Sequence, residues 1–334
     1  MVLCVVAIGV APAAAQDQPS SGGATGPDGV VQSWAVSPGD GTQATAGRSN
    51  FSYELAPGGS VDDQITIYNL SNVAMTFHIY STDAFNTTDG AFTYLTGDQK
   101  PTDVGTWVQF PVDGVTLPAQ NQTTMPIKVT VPPDARPGDH TGVIVASSPT
   151  QGTGPDGKIV NVDRRTGTRM YIRVAGALDP KLAVEDLTSS YSPSLNPFGG
   201  SAEVHYKIVN RGNVRLAGTH KVKVSGPFGL FSKASDEEQI SELLPGQSID
   251  VTKKLSGVTA TGVMFAEVQL QPLPVGADTT PLKRNDRTGY TFAVPVLLVA
   301  LLIIAILLWY ARRRLKHHDD DVVVAPKPRE RQLV

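Results

Sequence analysis

Four short segments of the sequence recur in the same order in its two halves, and this internal repeat limits the folds that the chain can adopt. The clearest pair is ITIYNLSNV at 65–73 and YKIVNRGNV at 206–214. Its matched positions are Ile67 with Ile208, Asn69 with Asn210, Asn72 with Asn213 and Val73 with Val214. The other pairs are GGS at 58–60 and 199–201, LPAQ at 117–120 with LPGQ at 244–247, and TGV at 141–143 and 261–263. Together they predict two copies of one structural unit.

Both copies contain short runs in which apolar and polar residues alternate. In ITIYN, Ile65 and Ile67 fall on one face of a strand, and EVHYKIVN in the second copy alternates likewise. Such runs, separated by Gly, Pro and Asn turns, are typical of antiparallel β-sandwiches. A chain of 334 residues is too long for one ordinary domain and fits two. We therefore predict an all-β fold with tandem sandwich domains at 33–179 and 180–279.

The first residues of the chain resemble a secretory signal. An apolar stretch precedes Ala13 and Ala15, which occupy the positions of an A-x-A cleavage site. A basic segment before this stretch is missing, so the position of the true start is left open. We predict a signal peptide at 1–15 and a flexible linker at 16–32. Cys4 is the one cysteine, so removal of the signal would leave no thiol for a disulfide.

Residues 291–310 form an uncharged apolar run. About 20 residues at ~1.5 Å each span roughly 30 Å, the thickness of a bilayer's hydrocarbon core. Aromatic residues flank the run and arginines at 312–314 follow it, as on the cytoplasmic side of a membrane. We predict a juxtamembrane linker at 280–289, a transmembrane helix at 290–310 and a cytoplasmic tail at 311–334. The alternatives are a buried core helix and a sortase signal, for which LPVGA at 273–277 lacks the threonine.

The predicted protein is therefore a single-pass plasma-membrane protein with its N-terminal bulk outside and its C-terminus in the cytoplasm. A net charge of −3 does not indicate nucleic-acid binding, and no such partner is expected. The sequence contains no hydrolase, metalloprotease or phosphate-loop motif. Asp83 and Asp89 are the one candidate carboxylate pair, and with Asp103 they could bind calcium, although calcium-loop spacing is missing. We expect no catalytic residue, metal or cofactor.

The first copy carries an insertion that the second lacks. The segment from Asn69 to Leu117 is longer than its counterpart from Asn210 to Leu244, and the extra residues fall within 81–110. A sandwich does not require them, and inserted loops often carry binding groups. The aromatic residues in this region are candidate ligand contacts, since ring faces can stack on sugars: Phe85, Phe92, Tyr94 and Trp107. The alternative is that Trp107 and Phe110 fill the sandwich core.

The first copy also resembles a known family of domains. FSYELAPGGSVDDQITIYNLSN, AFNTTDGAFTY, TWVQF and VTLPAQNQTTMPIKVTVPPDARPGDHTGVIVAS occur in this order. The segments are similar to the peptidoglycan-binding domain of the WxL-interacting proteins of Gram-positive bacteria, over roughly residues 33–178. The resemblance implies two immunoglobulin-like domains, a signal and a C-terminal transmembrane helix. It also implies that the first domain contacts peptidoglycan and the second a partner protein.

These observations lead to one functional hypothesis and two alternatives. We expect a non-enzymatic, membrane-anchored protein of the cell envelope that binds peptidoglycan or another cell-wall polymer, a surface protein, or both. The first alternative is an enzyme that modifies wall polymers. The second is a subunit of an envelope assembly or signalling complex.

Overall fold

A computed structural model describes residues 22–25, 30–39, 47–153, 158–194, 196, 198–276 and 282–319. The predicted signal peptide and most of the predicted cytoplasmic tail lie outside these residues. Strands dominate the described chain, as the alternating pattern predicted. The all-β prediction is therefore confirmed for the bulk of the described residues.

The first sandwich is built from eleven strands in two sheets. They are β1 (Gly22–Thr25), β2 (Val31–Pro38), β3 (Phe51–Leu55), β4 (Ser60–Asn69), β5 (Met75–Asn86), β6 (Phe92–Tyr94), β7 (Val108–Gln109), β8 (Gly114–Leu117), β9 (Asn121–Thr130), β10 (Gly138–Thr153) and β11 (Ile159–Val174). One sheet has the order β1-β2-β4-β9-β7, and the other β3-β11-β10-β5-β6, with β8 also on β5. Pairing is antiparallel except between β3 and β11.

The second sandwich has eight strands in two sheets. They are β12 (Leu182–Ser192), β13 (Gly200–Asn210), β14 (Leu216–Ser225), β15 (Lys233–Ala234), β16 (Glu238–Leu243), β17 (Ser248–Val258), β18 (Gly262–Pro274) and β19 (Asn285–Ala293). The sheet orders are β12-β13-β17 and β15-β14-β18-β19, with β16 also on β14. Along β14, buried and half-buried residues alternate, so every second side chain enters the core.

Each sandwich has its own hydrophobic core. The first centres on Trp34, whose ring lies 5.7 Å from that of Phe77 and whose indole N–H donates to the Ala146 carbonyl. The second contains Val204, Ile208 and further aliphatic residues of both its sheets. The described residues therefore form two separate cores, one in each sandwich.

The repeated asparagines explain why the turn sequence recurs. Asn69 and Asn210 are both 0% exposed. The Asn69 amide donates to the carbonyls of Val73, Leu117 and Pro118 at 2.9–3.0 Å, and its oxygen accepts the N–H of Ser71. Each asparagine thus closes its own turn and ties it to a distant segment.

Asn210 repeats this arrangement in the second sandwich. Its amide donates to the carbonyls of Val214 at 2.8 Å and Leu243 at 2.9 Å, and its oxygen accepts the N–H of Gly212 at 3.1 Å. A buried amide with its donors and acceptor satisfied fixes one turn geometry, since any other geometry would leave those polar groups unpaired.

The C-terminal region differs from the sequence prediction at one point. Residues 285–293, predicted as linker and the start of the membrane segment, form β19 and pair with β18 from Gly262–Ala293 to Leu270–Asn285. Helix α1 (Val296–Asp319) follows. Among the described residues, no helix meets the combined length and hydropathy expected of a membrane crossing.

Candidate functional site

The insertion of the first copy lies against the sandwich as a hairpin of β5 and β6. In its register Ala84 faces Tyr94 and Asn86 faces Phe92. Phe85, Phe92 and Tyr94 are all half-buried. The insertion is thus held against the body of the domain.

Two arginines of β11 cover the insertion's rings. The Arg169 guanidinium lies 4.2 Å from the centre of the Phe92 ring, and that of Arg165 lies 5.4 Å from the Tyr94 ring. Burial raises the pKa of the Tyr94 phenol, although the charge of Arg165 acts in the opposite direction. Cation–π contacts of this kind attach the insertion to the sheet and leave less ring surface for a ligand.

Trp107 belongs to the hydrophobic core. It is 5% exposed, and its ring lies 4.8 Å from that of His140, while Phe110 packs against the same core from a partly buried position. The ring is therefore unavailable to a ligand on the surface. Trp107 thus lies in the core and Phe110 packs against it, which is the alternative that the sequence had left open.

Asp83 has a structural role that the sequence did not reveal. Its carboxylate accepts the backbone N–H groups of Thr102 at 2.6 Å, Asp103 at 2.9 Å and Gly105 at 2.8 Å. Asp89 is exposed and accepts a short hydrogen bond from Thr87. With its oxygens engaged by backbone amides, Asp83 closes the base of the insertion. Within the described residues, no group of three or more metal-ligating side chains occurs.

His140 holds the other end of the insertion to β10. Its Nδ1 lies 2.8 Å from both carboxylate oxygens of Asp103, and its Nε2 lies 2.9 Å from the carbonyl oxygen of Arg136. Both partners are acceptors, so the imidazolium satisfies both contacts. Burial alone would lower the pKa of His140, but these hydrogen bonds outweigh it and the pKa is raised.

The tip of the insertion contacts the second sandwich. The Asn86 side chain donates to the Glu242 carbonyl at 3.0 Å and accepts the N–H of Leu244 at 2.9 Å. The N–H of Asp250 donates to the Thr88 carbonyl at 2.8 Å. The residues that distinguish the first copy therefore help to join the two sandwiches.

A charged network completes this junction. Asp139 of β10 is 8% exposed, accepts two hydrogen bonds from Arg173 at 2.7 and 3.0 Å and accepts the N–H of Arg215 at 2.9 Å. Arg215 also donates to Glu242 at 3.0 Å, and its guanidinium lies 3.7 Å from the centre of the Tyr171 ring. The contacts of Arg215 with Asp139 and with Tyr171 cross from the second sandwich to the first. The Arg173–Asp139 and Arg215–Glu242 pairs each lie within one sandwich, and together the charges of the network compensate one another.

The opposite pole of the first sandwich carries an open groove of about 470 Å³. Ten residues of β10 separate it from the junction, about 33 Å at the rise of a strand. Met75 and Phe77 are buried beneath it, while Thr76, His78 and Asp113 are exposed. The complete lining is Gln32, Ala74, Met75, Thr76, Phe77, His78, Asp113, Gly114, Ser148 and Pro149. Its volume falls within the range of known ligand sites, and it combines an apolar floor with a polar rim.

The groove arises where the pairing of two strands ends. β5 and β10 pair from Asp83–Gly142 to His78–Ser147, and Pro149 then follows on β10. Proline has no N–H with which to extend the ladder. The pairing of β5 with β10 does not continue beyond this point, which is where the groove lies.

Sequence reasoning did not find this groove. His78 lies in an alternating strand run, which is typical of either a solvent-facing or a core position; it is exposed, and its ring lies 5.4 Å from that of Tyr80. Proline within a strand run, here Pro149, was the available signal for an interrupted ladder.

The similarity of this chain to known proteins is limited to solved structures. No protein-family model matches the sequence, and a search of curated proteins gives no match. Among solved structures, the chain is similar to the class 5 fimbriae chaperone CfaA, with 16% identity, a TM-score of 0.33 and coverage of 73% of this chain and 97% of that chain. It is also similar to the Salmonella enterica SafB chaperone in complex with the SafA pilin, with 10% identity, a TM-score of 0.31 and coverage of 76% and 96%.

A third similar structure is the E. coli chaperone DraB, with 12% identity, a TM-score of 0.31 and coverage of 72% of this chain and 95% of that chain. Another neighbour is a PapD-like domain of human CEP192. The described chain is mostly β-sheet, as its own strands show. At these TM-scores the likeness carries no argument about function.

Proposed function

We propose that this protein is a membrane-anchored, non-enzymatic binding protein of the cell envelope, and that its first sandwich binds peptidoglycan or another cell-wall polymer. The observation that carries the proposal is the open groove at the pole of the first sandwich opposite the junction. The sequence resemblance of residues 33–178 to a peptidoglycan-binding domain supports the same ligand class independently.

The proposed anchor rests on the C-terminal apolar run. Large apolar side chains of α1 between Val299 and Tyr310 are all more than 40% exposed. They point to every side of the helix, because they occupy almost consecutive positions. A helix that is apolar all round requires an apolar environment. The arginines at 312–314 favour a cytoplasmic location for the C-terminus.

The order of the parts along the chain supports a bridging role. The groove lies at one end of the first sandwich, the junction at the other, and β19 leads directly from the second sandwich into α1. The charged network and the Asn86 contacts restrict motion between the sandwiches. The second sandwich would then hold the groove away from the membrane, where wall polymer is found.

The structure also bears on the proposal that the protein is not an enzyme. The one carboxylate pair that the sequence offered was Asp83 with Asp89, and the Asp83 oxygens accept backbone N–H groups at the base of the insertion. A carboxylate engaged by backbone amides in this way is fixed in position by the loop, and its oxygens are already occupied. It suits a structural role better than that of a general acid.

Two experiments test the two parts of the proposal. Protease treatment of intact protoplasts should remove the bulk of the chain and spare a tag placed after Val334. A digested tag would contradict the orientation. Full-length protein in detergent should co-sediment with purified peptidoglycan in a saturable manner. A chain that stays in the supernatant at every concentration would contradict the ligand class.

A further inference from the structure

We propose that the end of the second sandwich next to α1 inserts aromatic and aliphatic side chains into the surface of a phospholipid bilayer. The inference rests on the membrane anchor proposed above. It adds a second membrane contact that would orient the sandwich and would not depend on the ligand of the first domain.

The inserting element is the loop at 226–231, with sequence GPFGLF. Phe228 is fully exposed, Leu230 is 56% exposed and Phe231 is 58% exposed. Phe198, which precedes β13, is 63% exposed. Exposed apolar groups on a single loop, beside a further exposed phenylalanine, mark an interaction site.

The backbone of this loop directs the rings outward. Phe228 has a φ of 58° and Phe231 a φ of 51°, in the left-handed region that bulky residues rarely adopt. The turn is closed by hydrogen bonds from Gly226 N–H to the Leu230 carbonyl at 2.8 Å and from Leu230 N–H to the Pro227 carbonyl at 3.2 Å. A strained turn that exposes phenylalanine to water is explained if the rings have an apolar partner.

The loop lies beside the point where α1 begins. A Cβ added at Gly226 would lie 2.7 Å from the Thr261 side chain, so the two segments are in contact. Thr261 precedes Gly262, which pairs with Ala293, the last residue of β19. Three residues further on, α1 begins at Val296. A bilayer that received α1 would therefore meet this loop as well.

Other residues at the same end fit this assignment. Tyr290 and Phe292 of β19 are each 70% exposed, and their rings lie 6.3 Å apart. Aromatic side chains are favoured at the depth of lipid headgroups. Phe198 belongs to the same end, since its carbonyl oxygen and the Lys233 ammonium would both lie 3.8 Å from a Cβ at Gly257.

The charge of the loop predicts how the contact depends on lipid composition. Residues 226–232 carry no charged side chain, Lys233 follows, and acidic residues at 236–238 come next. Attraction to anionic lipid is therefore weak, and burial of apolar area has to provide the binding. The contact should form on phosphatidylcholine and should withstand high salt.

The test uses full-length protein in two sets of phosphatidylcholine liposomes, one with a lipid-borne nitroxide at the depth of the glycerol backbone and one with a nitroxide near the bilayer centre. Cys4 is replaced by Ser, and an environment-sensitive fluorophore is attached to a single new cysteine. The variants are Phe228→Cys for the loop, Leu302→Cys for the anchor and Lys100→Cys, an exposed site of the first sandwich, as the control. Phe231→Cys serves as a second reporter of the loop.

We expect the glycerol-depth nitroxide to quench the labels at 228 and 231, the central nitroxide to quench the label at 302, and neither to change the label at 100. Quenching at 302 without quenching at 228 or 231 would overturn the inference and preserve the anchor. Absence of quenching at 302 would contradict the anchor, and quenching at 228 would then still establish the surface contact. A blue shift at 228 that depends on protein density, without quenching, would identify a second copy of the chain as the occupant and overturn the bilayer assignment.

Discussion

The two asparagine turns make the same internal hydrogen bonds but face different surroundings. In both, a fully buried amide closes the turn, at Asn69 and at Asn210. The next asparagine in each turn then binds the segment before the sandwich: Asn72 accepts the N–H of Val31 at 3.0 Å, and Asn213 accepts that of Asp179 at 2.7 Å. Asn213 also donates to the Pro137 carbonyl of the first sandwich at 2.9 Å. Among the contacts of the two turns described here, only this one reaches the other sandwich.

The residue two positions after the second asparagine of each turn has different surroundings in the two copies. Arg215 enters the charged network of the junction, whereas its counterpart in the repeat, Ala74, lines the open groove. Among the residues that the structure describes, the same pole of the unit is thus covered by the neighbouring domain in one copy and open in the other. We infer that the fold requires the turn in both copies. The residues around the turn then determine whether the pole becomes an interface or a binding site.

The largest expected effect comes from removing the buried asparagines. Asn69→Ala should lower the unfolding free energy of the first sandwich by about 3 kcal/mol or more, because buried carbonyls lose their donor. For a domain of this size that corresponds to a fall in Tm on the order of 10 °C. Asn210→Ala should cost somewhat less, since Asn69 donates to three carbonyls and Asn210 to two.

Calorimetry of the variants measures these effects, with Asn121→Ala at an exposed site as the control. If Asn69→Ala melted together with the control, the buried turn would not be the common structural requirement of the two copies.

The next effect concerns the junction. Asp139→Ala leaves Arg173 and Arg215 without their shared carboxylate, a change that costs about 3 kcal/mol for a buried pair. We expect the two sandwiches, joined in the wild type, to melt in separate transitions. Asp63→Ala is the matched control, because Asp63 pairs with Arg48 at 2.7 Å within the first sandwich. A single transition in the Asp139 variant would show that the network does not couple the domains.

The pKa shifts of two histidines lead us to expect that the stability of the two sandwiches changes in opposite directions with pH. The pKa of His140 is raised in the fold, so its contribution is complete below the unfolded pKa near 6.5 and is lost as pH rises through the folded pKa. Burial lowers the pKa of His220, whose Nδ1 lies 2.7 Å from the Tyr206 hydroxyl oxygen. Its contribution is present above the unfolded pKa and is lost as pH falls through the folded pKa.

Denaturant unfolding of the Asp139→Ala variant, whose sandwiches should unfold separately, is followed by a probe in each sandwich. The first sandwich should lose stability and the second should gain it as pH rises across the titration range of histidine. Adding His140→Gln or His220→Gln should flatten the response of that sandwich. Parallel responses of two separately unfolding sandwiches would contradict the assignments.

The smallest effect concerns the insertion, which the second copy lacks. Phe92→Ala removes the ring beneath Arg169 and should cost about 1 kcal/mol of stability. Replacing Phe85, Phe92 and Tyr94 together should lower the Tm further, because all three rings are half-buried. Phe228→Ala, at a fully exposed ring, is the control for stability. An unchanged Tm in the triple variant would show that the three rings do not stabilise the domain, and they would again be candidate ligand contacts on its surface.

The sequence predicted the parts of the fold that have a local signal. Alternation of apolar residues located the strands, and the repeat around Asn69 and Asn210 identified two related units. The strand at 285–293 was missed because charged residues at 283–287 resemble a linker and the apolar end of the strand continues into the C-terminal run. Its partner, β18, determines the strand conformation, and single-sequence patterns do not show such pairing.

The candidate site was less predictable because it depends on contacts between distant residues. The insertion was identified correctly as the difference between the copies, but its tip binds the second sandwich through Asn86 and Leu244, which no periodic pattern connects. The groove likewise forms where β5 and β10 separate near Pro149. A sequence reveals the proline, and the tertiary arrangement turns it into an opening.

The most direct test of the account asks which surface of the first sandwich binds the cell wall. Ala74→Trp places a large side chain in the groove, and Ala91→Trp places the same side chain on the insertion; both alanines are exposed. Co-sedimentation of the two full-length variants with purified peptidoglycan compares the groove with the insertion, because both variants introduce the same tryptophan side chain. The account predicts that Ala74→Trp weakens binding by roughly tenfold or more, about 1.4 kcal/mol, while Ala91→Trp binds as the wild type does. Normal binding by Ala74→Trp, with loss of binding by Ala91→Trp, would contradict it.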